Sequence, residues 1–584
     1  MPEDKACFAF TNSCDRTIFQ ILIMFRKISF LILQFIVVAI PASLILYYAL
    51  NSGLLPDNDY WNSITDILTP QGGFSGNISD WVKRNNEHYV LLPKLVYAAN
   101  IVITGGSNVG LSLFTWFMAV LQLLILYQLI PVKSRQYPVL FVALLLAVSI
   151  FIFSPRHAHN WILGMSGTAW ISANCFSLGA ILSLQYYANT TKLSYYLTTF
   201  VLSLCALATY STSLALFPTL VIAVVLLKLQ RRDQALMVAL SITIVSLYLL
   251  NYSTPTHHPD IQTSLSVLAA YFVAFIGALF NIKLKAALFS GALGLISSLL
   301  MSAYIYRKKT FWPAIIPWLC IQLYVCGNAA MAALARSGFG VEQALASRYR
   351  ALPALFWLAW IMIASVVCLQ QKLYYRKLFF IVLLSVSSVI VFNTYRIGLL
   401  SDKFLLERAE LKLFALASIY SHAYDMDLIH KSFFPTITEL QMERITSLLE
   451  VSQHIPFNGI FNECPKIGAS ITKALTVDKK KFFGYFDQMR RRNGRVIEVK
   501  GWTYSDGAQP ICLVVTNQDS IVRGIAIYGI NRPDVAKVIP RVLSDGVGWQ
   551  GYGNVHNHDK TIKVFMLTST GLWVQLNGRH QIDV

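Results

Sequence analysis

A polytopic α-helical membrane protein of about 11 transmembrane helices, followed by an extracytoplasmic helical linker and a C-terminal β-sandwich domain, is the fold class this sequence predicts. Three observations carry it. Of 584 residues, 55% are hydrophobic and only 13% are charged, too little charge to cover a soluble protein of this length. Apolar runs of roughly 18 residues, each able to cross a ~30 Å hydrocarbon core, recur up to residue 396. Beyond residue 396 the charge becomes nearly balanced and the hydrophobic pattern breaks into short segments. A soluble enzyme, a disordered chain and a secreted disulfide scaffold are thereby excluded.

The expected spans are 28–50, 108–131, 137–154, 169–187, 194–211, 213–229, 234–251, 285–306, 312–333, 353–370 and 378–396. Residues 1–27 form a cytoplasmic N-terminus, and the first apolar run, too long for a signal-peptide core, is a retained span. Basic clusters mark alternate junctions: Arg26 and Lys27; Lys133 and Arg135; Lys192; Lys228, Arg231 and Arg232; Arg307 to Lys309; Lys372, Arg376 and Lys377. The bias of Lys and Arg towards cytoplasmic loops puts these inside and the C-terminus outside. Residues 265–281 are also apolar, but a twelfth crossing there would put one basic cluster on the wrong side. A helix lying at the outer interface or re-entering fits better.

The transmembrane domain, 28–396, therefore carries a first extracytoplasmic loop at 51–96, part of which (81–103) is amphipathic enough to lie along the membrane. Residues 397–480 read as a helical linker, with leucines at helical spacing such as Leu405, Leu406, Leu413 and Leu416. Residues 481–584 read as strands punctuated by Gly, Asn and Asp, a β-sandwich in outline. The basic stretch Lys479 to Arg495 reads as a connector between the two. Cys464 and Cys512 both fall outside the membrane, where a disulfide between them is permitted but not required by their spacing.

The net charge of +19 does not imply nucleic-acid binding, because the excess sits in the apolar part: 26 Lys/Arg against 11 Asp/Glu in residues 1–396. Five of those 11 acids fall in the first loop, so the loop is the first place to look for chemistry. It carries Pro56-Asp57-Asn58-Asp59-Tyr60-Trp61 and Asn85-Asn86-Glu87-His88. Carboxylates beside aromatics at a membrane surface can act as general base, metal ligand or sugar hydrogen-bond acceptor. Asp57-x-Asp59 is compatible with a divalent metal, and no cofactor is required by the pattern. Two further outer loops matter. One is Ser154 to Trp161, with Arg156, His157 and His159; the other runs from Arg336 to Arg350, with Arg348 and Tyr349. Outer-side arginines run against the orientation bias, and their planar forks suit phosphate. Lipid headgroups are the plainer partners for the same side chains.

A retained first span, an acidic first outer loop and a many-span bundle resemble the GT-C class of integral-membrane glycosyltransferases, over about residues 20–396. Asp57-Asn58-Asp59 stands where that class carries its catalytic acid. Asn85-Asn86-Glu87-His88, the Arg156 loop and Arg336 with Ser347-Arg348-Tyr349 look like elements of bacterial members, and the tail is similar to accessory β-domains of surface-polysaccharide membrane proteins. The resemblance implies sugar transfer from a polyprenyl-phosphate-linked donor to a glycan or lipid-linked acceptor at the outer face of a bacterial inner membrane. Asp59 or Asp57 would be the base, and Glu87 and His88 would orient acceptor or base. Arg336, Arg348, Tyr349, Arg156 and His157 would hold the donor phosphate. Two rival readings are an O-antigen-type polymerase or ligase and a lipid-linked glycan transporter or flippase. The absence of acids from the spans speaks against transport.

Overall fold

In the computed structural model of the chain, the described residues are 4–250, 252, 259, 262–280, 283–309, 311–371, 373–399, 402–471, 482–505, 509–539 and 546–582. The proposed domain boundary at 480/481, Lys479 and Lys372 lie outside them. The molecule is mostly helical, and eight helices among the described residues are long and apolar enough to cross a membrane. These are Ile28–Leu50 (the apolar end of one long helix from Asp4), Asn108–Leu129, Pro138–Ile162, Gly164–Thr190, Arg231–Leu250, Leu284–Lys308, Trp312–Phe339 and Ala351–Leu369.

Helix Ala351–Leu369 is apolar on every side and forms the central post, its Leu352, Phe356, Leu358 and Met362 all buried. Helices Ile28–Leu50, Arg231–Leu250 and Leu284–Lys308 instead turn large apolar side chains outwards, among them Phe35, Ile242 and Phe289. Such an apolar exterior suits lipid and not water.

Two expected spans, 194–211 and 213–229, are the shorter helices Leu193–Thr209 and Leu216–Leu226, with extended Tyr210 and a 3₁₀ turn, Ser211–Ala215, between them. The segment at 265–281 forms helix Leu265–Gly277, whose 13 residues cover about 20 Å, short of the ~30 Å core. It folds back on Leu284–Lys308 so closely that a Cβ on Gly291 would lie 2.0 Å from the Val273 carbonyl oxygen. The expected last span is helix Leu373–Leu399.

Some of the junctions with basic residues lie beside one another in pairs. Lys133 lies 4.4 Å from the Phe311 ring, beside the Arg307–Lys309 cluster. The Tyr187 hydroxyl donates to Asp233, which brings the Lys192 and Arg231 junctions together. Elsewhere the first loop, the Ser154–Trp161 turn, the Arg336–Arg350 segment and the tail gather.

The tail is not a free linker. Helices Asp402–Tyr420, Met426–Ser432 and Glu439–Val451 share one apolar core with the first loop, through Tyr60, Trp61, Ile64, Leu416 and Phe433. The last helix starts at a capping box, Thr438 with Gln441.

The strands are β1 Phe482–Arg491, β2 Val496–Ser505, β3 Cys512–Thr516, β4 Val522–Ile530, β5 Gly548–Asn554, β6 Thr561–Leu567, β7 Trp573–Gln575 and β8 His580–Gln581. They form one antiparallel sheet in the order β1-β2-β5-β4-β3-β6-β7, with β8 on β6. The expected β-sandwich is thus corrected to a half-barrel. Its concave contents, Phe486, Val499, Leu513, Val515 and Trp549, pack on themselves. Its other face, Val514, Ile525, Tyr552 and Phe565, is covered by the tail helices and not by a second sheet. β3 is accordingly buried on both faces. A disulfide between Cys464 and Cys512 ties the tail to β3.

Candidate functional site

The first loop is built so that its acids face different partners. Asp57 is 2% exposed, with Oδ1 3.3 Å from Arg408 Nη2 and Oδ2 2.9 Å from Lys412 Nζ. A carboxylate paired with two cations from the tail is a structural anchor. Asp59 directly precedes helix Tyr60–Ile67, and its side chain does not cap that helix. Its charge acts on Arg348 and Tyr210 of the bundle.

Asn85-Asn86-Glu87-His88 is a tight turn closed by reciprocal backbone bonds, Asn85 N–H to the His88 carbonyl and His88 N–H to the Asn85 carbonyl, each 3.0 Å. Asn86 sits at φ +52, a left-handed conformation that asparagine tolerates better than most residues. The Asn85 amide donates to the Asp59 carbonyl at 3.3 Å, which ties the turn to the Asp59 segment.

Glu87 is buried. Its Oε1 accepts a short hydrogen bond from Arg336 and lies 3.2 Å from His88 Nε2. Burial pushes the Glu87 carboxyl up, but the His88 hydrogen bond and charge and the Arg336 guanidinium outweigh it and bring the pKa to about 2. His88 Nδ1 meets the Ser211 hydroxyl, and its ring lies 3.9 Å from Tyr210. Tyr248 donates its hydroxyl to the Glu87 carbonyl at 2.5 Å.

Arg348 lies over the Tyr349 ring at 5.1 Å and donates to the Tyr349 hydroxyl at 3.4 Å. Burial works against its charge, yet Tyr349, Tyr210 and Asp59 together hold its pKa above the ordinary arginine value. Tyr349 packs on Trp170 at 5.4 Å and Trp170 on Tyr210 at 4.9 Å, so aromatic rings connect Arg348 to His88. Asp59, Glu87, His88, Arg336, Arg348 and Tyr349 therefore share one neighbourhood.

Two phosphate-binding candidates do not join it. Arg156 is buried, and its Nε donates at 3.0 Å to the Leu279 carbonyl, just past helix Leu265–Gly277. That is a carbonyl-end cap, a contact of Arg156 that the sequence did not suggest. His157 is buried with its ring stacked against Trp161 and has no open face for a ligand. Both still support the site from behind, because Ser347 donates to the Arg156 carbonyl at 3.0 Å and Asn160 to the Arg348 carbonyl at 3.2 Å.

Beside the cluster, a cavity of about 240 Å³ is lined by apolar side chains such as Leu92, Val96, Phe114 and Phe176 and ends at Thr209, the residue before Tyr210. No group of three His, Cys, Asp or Glu side chains able to hold a metal ion occurs among the described residues. Trp170, Tyr210, Ser211 and Tyr248 were not expected. The one available signal was the polar run Thr209-Tyr210-Ser211-Thr212-Ser213 interrupting an otherwise apolar stretch.

Fold and site together define a helical membrane-type protein with a charged, aromatic-lined cluster at one end of its bundle and a C-terminal half-barrel. No family model matches the chain, and neither a curated protein nor a solved structure matches it.

Proposed function

We propose that the chain is a GT-C-like membrane glycosyltransferase that moves a sugar from a polyprenyl-phosphate-linked donor to a glycan or lipid-linked acceptor at the outer face of a bacterial inner membrane. The observation that carries this reading is the shared neighbourhood of the Asp59 carboxylate and two arginines, Arg336 and Arg348, with an apolar cavity nearby that is lined in part by Thr209, the residue before Tyr210. Sugar transfer from a phosphate leaving group needs these elements: a base for the acceptor hydroxyl, cations for the phosphate, and an apolar lodging for the lipid.

In this reading Asp59 takes the acceptor proton as the new C–O bond forms and the sugar–phosphate bond breaks. Arg348 and Arg336 stabilise the departing phosphate. Glu87 and His88 fix Arg336 and the turn that carries them. Asp57 is relieved of the base role by its ion pairs. A divalent metal remains compatible with this scheme, with Asp59 and the phosphate among its candidate ligands.

Asp59→Asn tests the assignment: expression and thermal midpoint stay at wild-type values while transfer to the glycan falls ~10²–10⁴-fold. Full activity in both Asp59→Asn and Asp57→Asn would remove the base from the first loop. It would favour the polymerase or ligase reading, which the Arg336, Arg348 and His88 cluster also suits. Surface-glycan mass separates these: one sugar gained per repeat marks a transferase, and collapse of chain length marks a polymerase.

A further inference from the structure

The segment Asp57–Trp61 rests on the tail at almost every residue. Asp57 faces Lys412 and Arg408. The Asn58 N–H donates to the Phe433 carbonyl at 2.8 Å, with Asn58 itself at φ +53. The Tyr60 hydroxyl meets His454 Nε2 at 2.8 Å, and Trp61 stacks on Phe433 at 4.1 Å. Lys412 is fully buried, and its ammonium also donates to the Ser52 carbonyl at 3.1 Å, gripping the loop on both sides of Gly53. Gly53 in turn leaves no room for a Cβ, which would meet Lys412 Cδ at 2.8 Å.

A buried ion pair contributes little net stability compared with a well-packed apolar pair of the same volume. What it supplies is geometry: a charge buried here has one low-energy partner arrangement and cannot slip by a residue. A carboxylate two residues away inherits that arrangement.

We propose that the tail is a clamp that positions the Asp59 carboxylate, with Lys412 as its anchor, so that the C-terminal third of the chain is a working part of the transfer site. The proposal rests on the role given above to Asp59. Lys412 and His454 are positioning residues and touch no substrate.

The full-length protein in detergent tests this with two readouts. The first is hydrogen exchange of backbone amides in peptides covering residues 54–63. The second is the split between kcat and KM for transfer. In Lys412→Met, exchange in 54–63 rises and kcat falls at least tenfold, in line with the ~10²-fold cost of misplacing a reacting group by about 1 Å, while the donor KM stays within twofold.

The double variant Asp57→Asn/Lys412→Met removes both fully buried charges of the pair and leaves only the partly exposed Arg408 without its carboxylate, which limits the damage to the fold. It shows the same kcat loss with a thermal midpoint near wild type, and restoring charge and length in Lys412→Arg recovers part of the kcat. Unchanged exchange in 54–63 in both variants overturns the clamp. Increased exchange with unchanged kcat, in a protein that Asp59→Asn inactivates, overturns its catalytic relevance. A wild-type protein with no transfer activity refutes the glycosyltransferase reading instead, and the exchange result still decides whether the clamp exists.

Discussion

Replacing Glu87 by glutamine isolates the charge at the centre of the cluster. The Glu87 carboxyl titrates at about 2 instead of its ordinary 4.5, because His88 and Arg336 favour its ionised form more than burial opposes it. At 1.36 kcal/mol per pH unit that depression corresponds to about 3 kcal/mol of folded-state stabilisation. The side chain is only 8% exposed, so surface screening removes little of it. The sign follows from the direction of the shift. A group whose pKa is lower in the folded state stabilises fully above its unfolded value. That contribution disappears as pH falls from about 4.5 through about 2. Reversible SDS titration of the protein in mixed micelles should therefore show Glu87→Gln less stable than wild type by about 3 kcal/mol at pH 7. The gap should be constant down to about pH 5 and shrink steadily below it. Equal stability at pH 7, or a gap that persists undiminished at pH 2 to 3, would refute the account of Glu87 as an ion-paired carboxylate.

Two other consequences can be measured on the same preparation. Cys464 and Cys512 are 48 residues apart, and a closed loop of that size restricts the unfolded chain by about 4 kcal/mol. The Cys464→Ser/Cys512→Ser variant, or addition of reductant, should lower stability by that order, and non-reducing peptide mapping should recover the linked pair. Gly291→Leu should lower the thermal midpoint and separate the Leu265–Gly277 and Leu284–Lys308 helices, as read by cross-linking of cysteines placed on the two. A side chain there collides with the Val273 carbonyl, and overpacking of this kind costs about 1–3 kcal/mol or more.

Much of the helical part was legible because membrane spans are encoded locally, in composition and length. The acid-rich first loop was legible for the same reason: 11 acids in 396 residues make five together conspicuous. Individual roles were harder. Asp57 and Asp59 look alike in sequence, and the ion pairs of Asp57 are made with Arg408 and Lys412, 351 or more residues away. Arg156 was expected at a phosphate because outer-side arginines need an explanation. Its guanidinium meets the carbonyl end of a short helix whose position the chain order does not reveal. The sandwich expectation failed because alternating strands need a second layer, and nothing in their alternation states whether that layer is a sheet or the helices that cover Val514 and Tyr552. Tyr210 was hidden by averaging, since a five-residue polar interruption inside an apolar stretch reads as a loop and not as the wall of a site.

The separation between Asp57 and its tail partners also sets an order of events. A ribosome adding about 5–20 residues per second needs roughly 20 to 70 s to travel the 351 residues from Asp57 to Arg408. For that interval the nascent first loop holds an aspartate with no cation beside it and a tryptophan, Trp61, with no Phe433 to cover it. The loop must wait, partly unformed, while the bundle assembles, and it closes only when the last third of the chain arrives. Chains that terminate early would then carry every span and still present an unfinished loop, a surface on which quality-control proteases could tell complete molecules from incomplete ones.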